Sequence, residues 1–386
     1  MADCLFSGMD RYNFNSNLID PEIIPDQNIR KKYARKPKPG FDSQKYRGLI
    51  QLFWFLVTVL IGVQFYFFVY YFLNGQTGLF LPRPPGVEGF LPISSLISLR
   101  QIILSGEINW IHPAGLVLLV TIIVMSILLK KSFCGYICPV GLVSESLGSI
   151  GRKILGKRLL LPKFLDYPLR SLKYLLLLFF VYALFFQMSP AEIEIFLNSP
   201  YNKVSDVKML LFFTRITQLT FIVLLALTVV SIFYEGFWCR YLCPYGALLG
   251  FLSLFSLTRI QRNPKSCTDC EKCSRVCPSR IKVHKLKTVR SDECFGCLAC
   301  VDACPVKATL DMKLPGGRAV KPKTFIIAVF LMFLIPILAF KLIGYWNNDI
   351  SLDEYRHHIE NIDSPLYEHN RGKVIGAEEY RRLHSK

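Results

Sequence analysis

The sequence predicts a mainly α fold: a polytopic membrane helix bundle of two duplicated hairpins plus one C-terminal span, with a small α+β cysteine-rich domain on the cytoplasmic side. Three observations predict it. Five apolar stretches, at about 49 to 73, 113 to 129, 172 to 188, 216 to 234 and 324 to 345, approach or reach the length that crosses roughly 30 Å of hydrocarbon. The stretch "CGYICPVG" at 134 to 141 returns as "CRYLCPYG" at 239 to 246, 105 residues later. Two dense cysteine runs lie between the fourth and fifth apolar stretches.

Residues 1 to 47 read as a basic cytoplasmic segment ending in "RKKYARKPKPG", with no signal peptide ahead of the first span. Residues 48 to 260 form a four-span membrane domain in this reading, 261 to 315 the cysteine-rich domain, 316 to 345 the fifth span, and 346 to 386 an outer-side polar tail. Orientation follows from the cations beside the spans, which stay on the inner side. Lys130, Lys131, Arg152, Lys153, Lys157 and Arg158, with the basic region 239 to 323, fall on the same face as the N-terminus when five spans alternate. The C-terminus is then outside. The second and third spans sit near the short limit.

A hydrophobic content of 52%, with 30 Phe, excludes a purely soluble chain of this length. The net charge of +18 has a topological source, because the basic residues flank spans or cysteine runs and form no nucleic-acid fold. Membrane lipid is the expected partner, and an acidic electron carrier is the kind of soluble protein such a surface would attract.

Twelve of the thirteen cysteines fall in four tight groups on the predicted cytoplasmic face, which favours metal ligation over disulfides. "CTDCEKCSRVCP" at 267 to 278 and "CFGCLACVDACP" at 294 to 305 each spell C-x2-C-x2-C-x3-C-P, the ligand run of a ferredoxin-like module with two 4Fe-4S clusters. In such modules the fourth cysteine of each run crosses to the other cluster. Cys267, Cys270, Cys273 and Cys304 are thus expected to hold one cluster, and Cys294, Cys297, Cys300 and Cys277 the other.

In the repeated motif, three intervening residues place Cys134 and Cys138 one helical turn apart if the second span continues that far, and Cys239 and Cys243 likewise. Pro139 and Pro244 suit the first position of a new helix, whose positive end favours a thiolate at the preceding cysteine. Further matches (Ser126 with Ser231, Tyr136 with Tyr241, Gly141 with Gly246) indicate an internal duplication about an axis along the membrane normal. The four repeat cysteines would then converge on one point at the cytoplasmic rim. An iron-sulfur cluster, zinc and copper(I) all suit four thiolates, and so does a paired dithiol without metal.

With both motif types on the page, residues 110 to 312 resemble the membrane polyferredoxins typified by NapH, the membrane half of NosR, and CcoG. The resemblance implies a bacterial-type inner membrane. It also implies electron passage between a quinone, iron-sulfur centres and other redox-complex subunits, or, in the CcoG branch, copper reduction during metallocentre assembly. This chain departs from NapH-like ones by its fifth span and tail. It lacks both the immunoglobulin-like domain of CcoG and the flavin domain of NosR.

The remaining candidates read as structural. His112, beside one span, makes no bis-histidine haem and is expected to cap at the interface, and Trp110 to anchor there. The apolar loop from 81 to 106 carries Arg83, Glu88 and Arg100, polar contacts for a conceivable quinol pocket but not assigned as site residues. Gln51, Gln64 and Gln187 read as helix-helix contacts, His357, His358 and His369 belong to a solvated or partner-docking tail, and Cys4 has no role.

Overall fold

The computed structural model describes residues 41–364 and Tyr367, so the run "RKKYARKPKP", Cys4 and His369 lie outside the described residues. The first helix, α1 (Ser43–Leu73), is capped by Asp42, whose carboxylate accepts the amides of Gln44 and Lys45 at 3.0 and 3.1 Å. It stops where Gly75 and Gln76 take positive φ. Then come α2 (Pro92–Ser105), α3 (Pro113–Leu129), α4 (Pro139–Leu155) and α5 (Lys163–Tyr182), the last running into a five-residue π turn at Ala183–Gln187. Beyond them lie α6 (Ser205–Thr214), α7 (Gln218–Phe233) and α8 (Pro244–Ser253), followed by β1 (Arg259–Arg262), β2 (Leu310–Lys313) and β3 (Ala319–Val320). The chain closes with α9 (Pro322–Leu342) and α10 (Leu352–Glu360).

All five apolar stretches are helical, but among the described residues three helices are long and apolar enough to cross a membrane: α1, the combined Phe164–Gln187, and α9. The other two are shorter for identifiable reasons. Lys130, at φ 63°, ends α3 after 17 residues, and a 79° bend separates the 16-residue α7 from α6. The third stretch, expected to be short, instead begins at Lys163 and carries Asp166, Arg170 and Lys173. Those charges are tolerated because each is paired: Asp166 with Arg170, Arg240 and the Tyr241 hydroxyl, Lys173 with Glu293. Phe179 and Phe186 of this segment are 62% and 76% exposed, the outward apolar face that lipid accepts.

The molecule divides into two compact units. The first gathers residues 41–55, Ile122–Tyr174 and Leu227–Phe333. Its three-stranded antiparallel sheet, in the order β1, β2, β3, pairs Ile260 with Met312 and Met312 with Val320. Ile260, Leu310 and Met312 alternate onto one buried face, as period two requires. The cysteine-bearing loops lie between β1 and β2.

The second unit gathers Leu56–Thr121, Leu175–Ala226 and the chain from 334 onward. Its core joins Phe65, Phe68 and Phe72 of α1 with Val204, Val207, Tyr355 and Ile359. The start of the tail is therefore not solvated: α10 buries Tyr355, His358 and Ile359 while turning Asp353 and Arg356 outward. Each fully buried apolar side chain contributes about 1.5–3 kcal/mol, enough to hold a short helix down. In α2 the buried face is Ser94, Ser95, Ile97 and Ser98, whereas Ile103 and Leu104 point out. Small polar residues let this helix approach its neighbours closely and leave its apolar side for lipid. Arg100 donates to the Leu184 carbonyl, a group left open by the π turn.

Candidate functional site

Two small cavities, partly open to solvent, lie in the cysteine-bearing loops of the first unit. One is lined by Cys267, Cys270, Cys273 and Cys304, with Arg262, Glu271 and His284 at its wall. The other is lined by Cys277, Cys294, Cys297 and Cys300. In each cavity three thiols come from one run and the fourth from the other. The loops reach this arrangement through left-handed residues before each short helix: Glu271 before Lys272–Arg275 and Leu298 before Ala299–Asp302. None of the twelve motif cysteines is in a disulfide. Among the described residues no three His, Cys, Asp or Glu side chains close on a point as a single-ion site requires. The thiols ring a volume, and four sulfur donors around a volume are the donor set of an iron-sulfur cluster. By this test both cavities fit that group.

The cavities differ in exposure. Cys277 and Cys300 are buried, while all four thiols of the first cavity are partly exposed. The second is also braced by the rest of the unit: Gln44 donates to the Cys297 carbonyl at 2.8 Å, Tyr136 to that of Gly296 at 3.1 Å, and Arg158 to that of Cys277 at 3.2 Å. Arg47, held by Glu145 at 2.5 Å, donates to the Gly135 carbonyl at 3.1 Å. Gly135 must be a glycine, since a methyl there would meet the Phe295 ring at 2.5 Å. The Cys134 segment and the second cavity thus share a packed wall.

The repeat cysteines do not sit on a continuing span, as expected from their spacing. The left-handed Lys130 breaks α3, Cys134 rides a separate turn at Ser132–Tyr136, and Cys239 lies in a π turn at Trp238–Leu242. Cys138 and Cys243 are the N-caps of α4 and α8, with Pro139 and Pro244 at the first helical position. The Gly246 amide donates to the Cys243 sulfur at 3.2 Å, and the amides of Val140 and Gly141 face that of Cys138. A side chain at Gly141 would strike the Cys134 carbonyl at 2.5 Å, so the close approach needs glycine. The four thiols lie in one electrostatic neighbourhood: Cys134 acts on Cys239, Cys243 on Cys134, and Cys239 on Cys138.

The amides at the start of α4 favour thiolate at Cys138, as expected, but burial opposes them. Burial pushes Cys134, Cys138 and Cys239 up to about 12, outweighing the amides, because a buried anion loses its water. Lys131 is the compensating charge beside them. Burial alone would lower its ammonium, but Cys134, Glu293, Cys239 and Cys243 hold it above the ordinary lysine value.

A second constellation, in the second unit, joins Arg83, Glu88 and His112, each singled out in the sequence, with Asp206, which was not. Arg83 bridges Glu88 at 2.9 Å and Asp206 at 2.7 Å, both carboxylates with fully buried side chains. His112, expected at an interface, is buried with Nε2 at 2.6 Å from the Asn202 carbonyl and Nδ1 at 3.7 Å from Glu88. The Gly115 amide donates to Glu88 at 3.0 Å, and the Arg83 guanidinium lies 5.5 Å from the Tyr355 ring centroid. No local spacing links 83, 88, 112 and 206. A charged pair inside an otherwise apolar, proline-rich loop was the available signal.

Family comparison agrees with the two motif types. The family model described as a 4Fe-4S binding domain matches twice, at residues 111–158 and 216–263, and that of a 4Fe-4S dicluster domain matches residues 259–305. The chain is 42% identical over 347 residues to YccM of Escherichia coli, whose name assigns it provisionally to electron transport; the match covers 86% of this chain and 96% of that protein. The regulatory protein NosR of Pseudomonas aeruginosa is 30% identical over 45% of this chain and 24% of its own length. The ferredoxin-type protein NapH of Haemophilus influenzae is 27% identical over 49% of this chain and 64% of its own. No solved structure matches. Near-complete coverage of one relative, together with the duplicated iron-sulfur domain match, shows that the chain belongs to the membrane-type polyferredoxins, the iron-sulfur family that includes NapH and NosR.

Proposed function

We propose that the protein is a membrane-bound electron wire that links the quinone pool to a redox partner through two 4Fe-4S clusters and a third centre at the repeat cysteines. The observation that carries this reading is the pair of four-thiol cavities with exchanged fourth cysteines. Cys267, Cys270, Cys273 and Cys304 would hold one cluster, Cys277, Cys294, Cys297 and Cys300 the other, and Cys134, Cys138, Cys239 and Cys243 the third centre. The clusters supply one-electron chemistry when bound. The chain supplies their positions, burial and charge.

The wall shared by Gly135 and Phe295 supports contact between the third centre and the second cavity. The partial exposure of the first cavity's thiols makes that cavity the port to a soluble partner. Lys265, Arg275, Lys285 and Lys307 around it are exposed, a surface that suits an acidic electron carrier. The apolar long helices support a location where a quinone dissolves, and the cation pattern supports an inner-membrane topology with the N-terminus in the cytoplasm and the C-terminus outside.

Purified protein would be reduced with a quinol analogue and read by electron paramagnetic resonance with spin counting, alongside metal analysis of a variant carrying Cys134→Ala and Cys239→Ala. Cluster signals appearing with quinol, and iron lost from the variant, support the wire. Copper lost instead of iron supports a metal-reducing assembly factor, and clusters that stay oxidised count against the quinone link.

A further inference from the structure

We propose that Lys131 is a built-in cation that raises the reduction potential of the centre at the repeat cysteines. This rests on the reading of those cysteines as a third redox centre. Lys131 is only 5% exposed and faces Cys134, Cys239, Cys243 and the Glu293 carboxylate. Its Nζ reaches the wall of α8, 3.5 Å from where a methyl on Gly246 would sit, beside the amide that donates to the Cys243 sulfur. Glu293 shares the charge of Lys131 with a second cation, because that carboxylate is also ion-paired with Lys173. The charge of Lys131 is felt by Cys134 first and then by Glu293, Cys239 and Cys243, so three of its four charge partners are repeat cysteines.

The duplication sharpens the point. Residues 105 positions apart correspond, so the counterparts of Lys130 and Lys131 are Glu235 and Gly236. Gly236 has no side chain and takes φ 75°, while Glu235 is engaged by Arg152 and Arg158. One half alone provides a cation to a site that both halves build. Neighbouring Lys130 serves the backbone instead, donating to the Ser253 carbonyl at 3.2 Å.

The direction of the effect follows from charge. Taking up one electron makes a thiolate-bound centre more negative by one unit, and a buried ammonium stabilises the reduced form more than the oxidised one. Solvent and salt screen little at this depth. Lys131 is a positioning residue: it moves no electron and binds no metal.

The test is a potentiometric titration of the full chain in detergent, followed by electron paramagnetic resonance, for wild type, Lys131→Met and Lys131→Arg. At the wild-type midpoint, the Lys131→Met protein is expected to show a reduced-to-oxidised ratio at this centre about tenfold lower, which is about 59 mV for one electron. The two ferredoxin signals serve as the folding control in the same sample, and Lys131→Arg restores the midpoint. A Lys131→Met centre that is present and unshifted overturns the proposal, while a centre lost with the ferredoxin signals intact replaces tuning by an assembly role. Wild type with signals from two clusters alone defeats the third-centre reading itself, before any variant is compared.

Discussion

The exchange of fourth ligands between the two cysteine runs can be tested by pairing deletions. Cys304 belongs to the second run but lines the cavity of Cys267, Cys270 and Cys273, and Cys277 belongs to the first run but lines that of Cys294, Cys297 and Cys300. If cavity membership sets ligation, Cys304→Ala and Cys267→Ala disable the same cluster. Each alone removes about half of the ferredoxin iron, and the pair removes no more than either. Cys304→Ala with Cys294→Ala disables both clusters and removes nearly all of it. Iron per chain, with spin counting on the dithionite-reduced protein, reads the result directly. The reasoning is refuted by the opposite pattern, in which Cys304→Ala adds to Cys267→Ala and not to Cys294→Ala. Two variants that lose all iron singly would point to collapse of the domain; amide exchange at the β1–β2 register then decides whether the sheet survives.

Three further outcomes are expected. Arg83→Met leaves two fully buried carboxylates, Glu88 and Asp206, without their cation, and should cost roughly 3–5 kcal/mol in denaturant unfolding in detergent; an unchanged midpoint would rule out the ion cluster as a support of the second unit. Burial, aided by Lys203 and His357 against the opposing Glu354, lowers His358 to about 4, so the fold favours the neutral imidazole that bonds Tyr367 at 2.7 Å. Its stabilising contribution is complete above the ordinary histidine value near 6.5 and fades as pH falls towards 4. Exchange protection of α10 should therefore drop between neutral pH and pH 4.5, and His358→Gln should flatten that dependence. Finally, reduction by an acidic soluble carrier should slow as salt rises, and Lys265→Glu with Lys307→Glu should slow it at low salt while sparing reduction by a neutral dye.

The sequence by itself determined the cysteine loops, because the spacing is local: each C-x2-C-x2-C run lines one cavity. It also determined that α4 and α8 begin at Pro139 and Pro244, since proline's fixed φ and absent N–H act on its own position. The limits of α3 and α7 were legible to within two residues, but hydropathy does not register the bend between α6 and α7. Hydropathy starts the third stretch at about 172, whereas the helix begins at Lys163, because Asp166, Arg170 and Lys173 are paired with partners, some of them distant in sequence. Only the tertiary structure decided that the repeat thiols share one neighbourhood with Lys131, that Arg83, Glu88, His112 and Asp206 meet, and that α10 lies in a core. These depend on contacts between segments far apart in the chain. At Cys134, Cys138 and Cys239 burial then outweighed the local motif, whereas at Lys131 the neighbouring charges outweighed burial.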